Sequence, residues 1–136
     1  MVLKDLSGVS SSWVKGSHMV LVGQGQFARW AHWAEVGLAT AGTATEQLVG
    51  LGIPALSLPG PGPQFQRAFA IRQSRLLGGA VMPCFTTEAL AERLQLLLLD
   101  PNLCVRMGQQ GSRRMGCSGG SDALAELVLK KILRNS

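Results

Sequence analysis

A glycine, two hydroxyls and a carboxylate fall within five residues at Gly42-Thr43-Ala44-Thr45-Glu46. Gly42 lets backbone come close to a ligand, and a helix starting behind it offers unpaired N–H groups to phosphate oxygens. Glu46, near the start of that helix, could accept two hydrogen bonds from the hydroxyls of a ribose. The same spacing has a second meaning. Thr43-x-x-Glu46 is also a capping box, in which the carboxylate reaches back to the Thr43 N–H and only starts the helix. The residues by themselves favour neither.

Two other strings resemble chemical motifs less well. Gly23-x-Gly25-x-x-Ala28 fits the dinucleotide fingerprint between a strand and a helix. That fingerprint also needs an acid at the end of the next strand to hold a ribose, and Leu38-Ala39-Thr40 has none. A nicotinamide- or flavin-dinucleotide module is therefore an alternative only. Gly116-Cys117-Ser118-Gly119-Gly120 fits the nucleophile-elbow pattern, but a helix is expected before it and no histidine follows His32. It reads as a glycine-rich link between helices. No catalytic residue and no metal site are expected. Cys84, Cys104 and Cys117 lie 20 and 13 positions apart, without a C-x-x-C pair and far from His18 and His32. Buried or inert thiols are the expectation. His32, beside Trp30 and Trp33, reads as a packing or surface residue.

The elements that must position these residues alternate. Apolar runs predict strands at Met19 to Gly23, Val36 to Thr40, Ile53 to Leu58 and Ala80 to Cys84. Helices are expected over Phe27 to Ala34, Thr43 to Leu51, Gln64 to Leu77 and Thr86 or Thr87 to Leu99. A further helix opens at Asp100-Pro101, and an amphipathic one runs from Ser121 to Asn135. Residues 1–17 read as an irregular N-terminal segment, and 18–136 as a single Rossmann-like domain, in part incomplete. Such alternation implies an α/β fold, a doubly wound parallel sheet of at least four strands in an α/β/α sandwich. Ligands then bind outside the carboxyl ends of the strands, in the loops at Gly23 to Phe27, Ala41 to Thr45 and Pro59 to Gln64.

The 136 residues suffice for one core, and 46% hydrophobic with 15% charged residues excludes a disordered chain. No apolar run has the length of a membrane span and no signal peptide is visible, so a cytoplasmic protein is expected. Thirteen basic against eight acidic residues give +5, with Arg106, Arg113, Arg114, Lys130, Lys131 and Arg134 late in the chain. A solvated helical face explains them. Peripheral contact with an anionic inner-membrane surface is the alternative, and nucleic acid has no interleaved aromatics to support it.

The stretch Ala41-Gly-Thr-Ala-Thr-Glu-Gln-Leu-Val-Gly-Leu-Gly-Ile-Pro54 resembles the nucleotide-sugar loop of lipid-A-disaccharide synthase. It is also similar to the corresponding loop of the murein N-acetylglucosaminyltransferase. Leu58-Pro-Gly-Pro-Gly-Pro-Gln64-Phe and Gln73-Ser-Arg-Leu-Leu-Gly78 resemble lipid-A-disaccharide-synthase-related bacterial proteins, as does the glycine-rich break from Arg114 to Ala123. The resemblance spans roughly residues 20–134. It implies the C-terminal, UDP-sugar-binding half of a GT-B hexosyltransferase, inactive until an N-terminal acceptor half completes it.

By that resemblance Glu46 holds the ribose, while Gly42, Thr43 and Ala44 offer backbone to the diphosphate. Gln64 touches the donor sugar, and Gln26 and Phe27 lie against the uracil. Ala68 stands where the murein enzyme has an asparagine, a difference at the sugar end. The donor is substrate, and no cofactor is implied. The competing expectation is a non-enzymatic remnant that binds other chains or its own copies, with Trp13, Trp30 and Trp33 as candidate surface.

Overall fold

The computed structural model describes residues 7–40, 42–60 and 66–134. The chain divides into two units, Met1–Glu35 and Val36–Ser136.

The first unit is a hairpin followed by a short helix. Strand β1, Val9–Lys15, pairs antiparallel with β2, His18–Gly23, across the two-residue turn Gly16-Ser17. Trp13 opposes Val20 and Val14 opposes Met19. An aromatic facing a β-branched residue is a favourable cross-strand pair, and it orders a serine-rich stretch that has little apolar alternation of its own. Two expectations are corrected here. Residues 9–15 are a strand, not irregular chain, and β2 belongs to this exposed hairpin instead of being the first buried strand of a parallel sheet. Helix α1, Phe27–Ala31, is shorter than expected, and two single-turn bonds carry the chain on through Ala34.

The second unit is mixed α/β around a three-stranded parallel sheet. Its strands β3 (Gly37–Ala39), β4 (Ala55–Ser57) and β5 (Val81–Pro83) lie in that order. Gly37, Ala55 and Val81 are in register, as are Leu38, Leu56 and Met82. Among the described residues the parallel sheet has three strands in sequential order, fewer than the four expected. The central strand is buried throughout, which is why Ala-Leu-Ser there shows no polar alternation.

Alternation along β4 divides the core in two. Ala55 joins Val81, Ala80, Val49 of α2 (Gly42–Gly50) and Leu77, which closes α3 (Arg67–Leu76). Leu56 joins Cys84, Leu97 of α4 (Thr87–Leu99) and Met107 of α5 (Pro101–Met115). Val49 and Leu77 meet in the first cluster, which puts α2 and α3 on the same side of the sheet, as two crossovers of one hand in one winding direction do. Thr86 caps α4 by accepting from the Ala89 N–H at 3.1 Å, and Asp100 caps α5 by accepting from the Leu103 N–H at 2.9 Å.

Helix α5 then packs along the amino ends of the strands. A methyl built at Gly108 would run into the carbonyl oxygen of Gly52, and one at Gly111 into Val49 and Ala80. The two glycines let helix backbone rest directly on the segments that lead into β4 and β5. The last helix, α6 (Gly120–Arg134), keeps its apolar stripe exposed. No helix among the described residues is long and apolar enough to cross a membrane.

Candidate functional site

The carboxyl end of the sheet is built from the segments behind β3, β4 and β5. Behind β3, α2 begins at Gly42, so Thr43 lies inside its first turn and Glu46 a turn later. That register is two residues early for a capping box on Thr43. Glu46 has a different partner. The side chain of Gln73, on α3 and only 5% exposed, donates through Nε2 to the Gly42 carbonyl oxygen at 3.2 Å. The same group reaches Glu46 Oε1 at 3.4 Å. Glu46 is half-buried, its carboxylate held beside the start of α2 by an amide from the neighbouring helix. Thr45, also fully buried, faces inward from the same turn.

Behind β4 the chain enters α3, whose first turn touches both neighbours of β4. Phe69 packs against Gly42 on the β3 side. On the β5 side, the Arg67 guanidinium carbon lies 4.3 Å from the centroid of the Phe85 ring. A cation in the first turn of a helix is opposed by the helix dipole, and stacking on an aromatic face offsets part of that cost. Among the described residues Arg67 makes no hydrogen bond or ion pair, so its N–H donors are free for an anion.

The expected site residues are thus distributed unevenly. Gly42, Thr43, Ala44 and Glu46 come together on the first turns of α2, Thr43 and Ala44 exposed. Gln64 lies outside the described residues. Gln26 and Phe27 belong to the first unit. There the Gln26 amide is occupied, donating to Gln24 O at 3.3 Å and accepting from Arg29 at 3.0 Å. Phe27 is exposed at the start of α1. The reading of the sequence missed Arg67, Phe85 and Gln73. An arginine four positions after a proline- and glycine-rich loop was the available signal for the first, and a glutamine at an inward helical position for the last.

The glycine fingerprint has a local explanation. The Trp30 ring sits where a side chain on Gly23 would be, and Gly25 takes a left-handed turn conformation. Residues 116–119 link α5 to α6, as expected of a helix connection. No protein-family model, curated protein or solved structure matches this chain.

The cysteines are free and differ in surroundings. Burial pushes the Cys84 thiol above its ordinary range, with the charge of Arg93 pulling the other way. Cys84 is buried, Cys104 half-buried and Cys117 exposed, so burial accounts for the first of the thiols expected to be buried or inert and not for the last. Among the described residues no three His, Cys, Asp or Glu side chains cluster as metal ligands would.

Proposed function

We propose that this chain binds the nucleoside-diphosphate portion of a UDP-sugar at the carboxyl end of its parallel sheet. In this reading it is the donor half of a glycosyltransferase similar to lipid-A-disaccharide synthase. The observation that carries the proposal is the first turn of α3, which meets Gly42 behind β3 through Phe69 and Phe85 behind β5 through Arg67. A diphosphate requires fixed donors and positive charge, and a helix start beside a stacked arginine supplies both.

Each residue has a role in that reading. The N–H groups of Gly42, Thr43 and Ala44 receive phosphate oxygens, Arg67 adds charge, and Glu46 accepts from the ribose hydroxyls. Gln73 sets the position of Glu46, and Gln64 meets the sugar. The site is confined to the second unit and gives no part to Gln26 or Phe27. During transfer, the bond from the anomeric carbon to the diphosphate oxygen breaks and the oxygen keeps the electron pair. Donors already in place stabilise that charge. The acceptor hydroxyl, and the base that takes its proton, are assigned to an N-terminal GT-B half. Completion as a doubly wound sandwich requires further strands in this sheet.

Calorimetric titration with UDP and with uridine tests the proposal. UDP is expected to bind weakly, and Arg67→Gln to lower its affinity about 10- to 100-fold while leaving uridine unchanged. No heat from UDP at millimolar concentration ends the reading. Purified chain is expected to transfer no sugar, and turnover by it alone would show that no second half is needed.

A second reading, an interaction protein without donor binding, is favoured by the exposed apolar faces of the hairpin, α4 and α6. It predicts association without any response to UDP.

A further inference from the structure

The outer face of α4 and the whole of α6 are uncovered. All described side chains of α6 are exposed, Leu124 at 62% and Leu127 at 56%. On α4, whose inner side buries Leu97, Leu96 is 48% and Leu99 74% exposed. Neither face is incidental in spacing. Glu92, Leu96 and Leu99 fall at i, i+4 and i+7, within about 60° of one another around the helix. Lys131, Leu127 and Leu124 give the same series in reverse, and each set spans about 10.5 Å of helix.

Laid antiparallel, the two faces match residue for residue. Glu92 meets Lys131, Leu96 meets Leu127, and Leu99 meets Leu124. A parallel arrangement would set Glu92 against Leu124 and Lys131 against Leu99, which desolvates both charges without pairing them. Among the described residues neither Glu92 nor Lys131 has an ion pair, whereas neighbouring Lys130 is engaged with Glu126 at 3.6 Å. One chain carries both faces and does not use one to cover the other. Two chains related by a two-fold axis satisfy both at once, since each supplies one α4 and one α6.

We infer that the Glu92-Leu96-Leu99 face of α4 receives the Lys131-Leu127-Leu124 face of α6 from a second copy of this chain. The inference is independent of UDP binding. Sedimentation equilibrium of the full chain at low salt, over a range of concentrations, tests it. A dimer is expected, with Glu92→Lys and Lys131→Glu each weakening association about tenfold through two reversed pairs. An equal mixture of the two variants is expected to recover the parent affinity, because both contacts of the mixed pair then join opposite charges. Leu99→Ser, at an exposed position, should keep the parent circular dichroism and lose the dimer. A monomer at every concentration overturns the inference. So does a mixture that fails to recover, which would mean that α6 folds back on its own chain or that copies meet elsewhere. Sedimentation of monomeric protein with phosphatidylserine vesicles, lost in Lys131→Glu, would assign α6 to a membrane surface instead.

Discussion

Gln73 donates its side-chain amide to the carbonyl oxygen of Gly42, 31 residues earlier, and so ties α3 to the first residue of α2. The amide is buried, which makes the contact sensitive to chemistry as well as to size. Gln73→Leu is expected to cost about 1–2 kcal/mol by removing its hydrogen bonds to Gly42 and Glu46. Gln73→Glu should cost more, since it turns a carboxylate toward a carbonyl oxygen and the Glu46 carboxylate. Urea unfolding of both variants at pH 7 checks the order. Equal losses would show that the amide contributes packing alone.

Glu46 separates binding from folding. If its carboxylate holds ribose, Glu46→Gln should weaken UDP binding about 10- to 100-fold. Stability should change little, because the new side chain keeps an oxygen for Gln73. Deoxygenated ligands lacking the ribose hydroxyls should lose a similar factor against the parent protein. Unchanged UDP affinity in calorimetry removes Glu46 from the site.

Gly108 is expected to tolerate no side chain. Alanine normally favours a helix by about 1 kcal/mol over glycine, but here its methyl meets the Gly52 carbonyl, rigid backbone that cannot swing aside. Overpacking of about 1–3 kcal/mol should win, so Gly108→Ala lowers the melting temperature. Gly120→Ala, in open space at the start of α6, is the control and should be neutral or slightly stabilising. A rise in both would show that α5 rests less closely on the sheet.

Cys84 gives stability a pH dependence. Its folded thiol keeps a proton where an unfolded cysteine, near 9.0, loses it. The folded state then binds more protons, so this contribution is full below about pH 9 and is lost as pH rises beyond it. Thiol-reactive dye should label exposed Cys117 at once and Cys84 only on unfolding. Prompt labelling of Cys84 would contradict its burial.

Helix existence was legible because caps and punctuation are local. Thr86, Asp100-Pro101 and the glycines at 78 and 116 mark their ends without help from tertiary structure. The strands at residues 37–39, 55–57 and 81–83 followed from short apolar runs. Met19 to Gly23 carries an equally apolar run, and the sequence alone does not say which partner it pairs with. That depended on a two-residue turn and on Trp13, which lies in a stretch with weak alternation. At the site, spacing pointed to Gly42 and Glu46, both local to one helix start. Arg67 with Phe85, and Gln73 with Gly42, are contacts across 18 and 31 positions, and no periodicity announces them.

Asp100 ends α4 and caps α5 with no residue between them. Its N–H bonds to Leu96 O at 3.0 Å, its carbonyl accepts from Cys104 at 3.2 Å, and the Cys104 thiol reaches back to Leu97 O at 3.2 Å. Neither helix can fray at this corner without breaking bonds that belong to the other. In native-state hydrogen exchange the amides around residues 97–107 should therefore open together, in one event with a common denaturant dependence. Positions at the far ends of the two helices would exchange by separate local fraying. The corner thus sets the smallest piece in which these two helices can come undone where they meet.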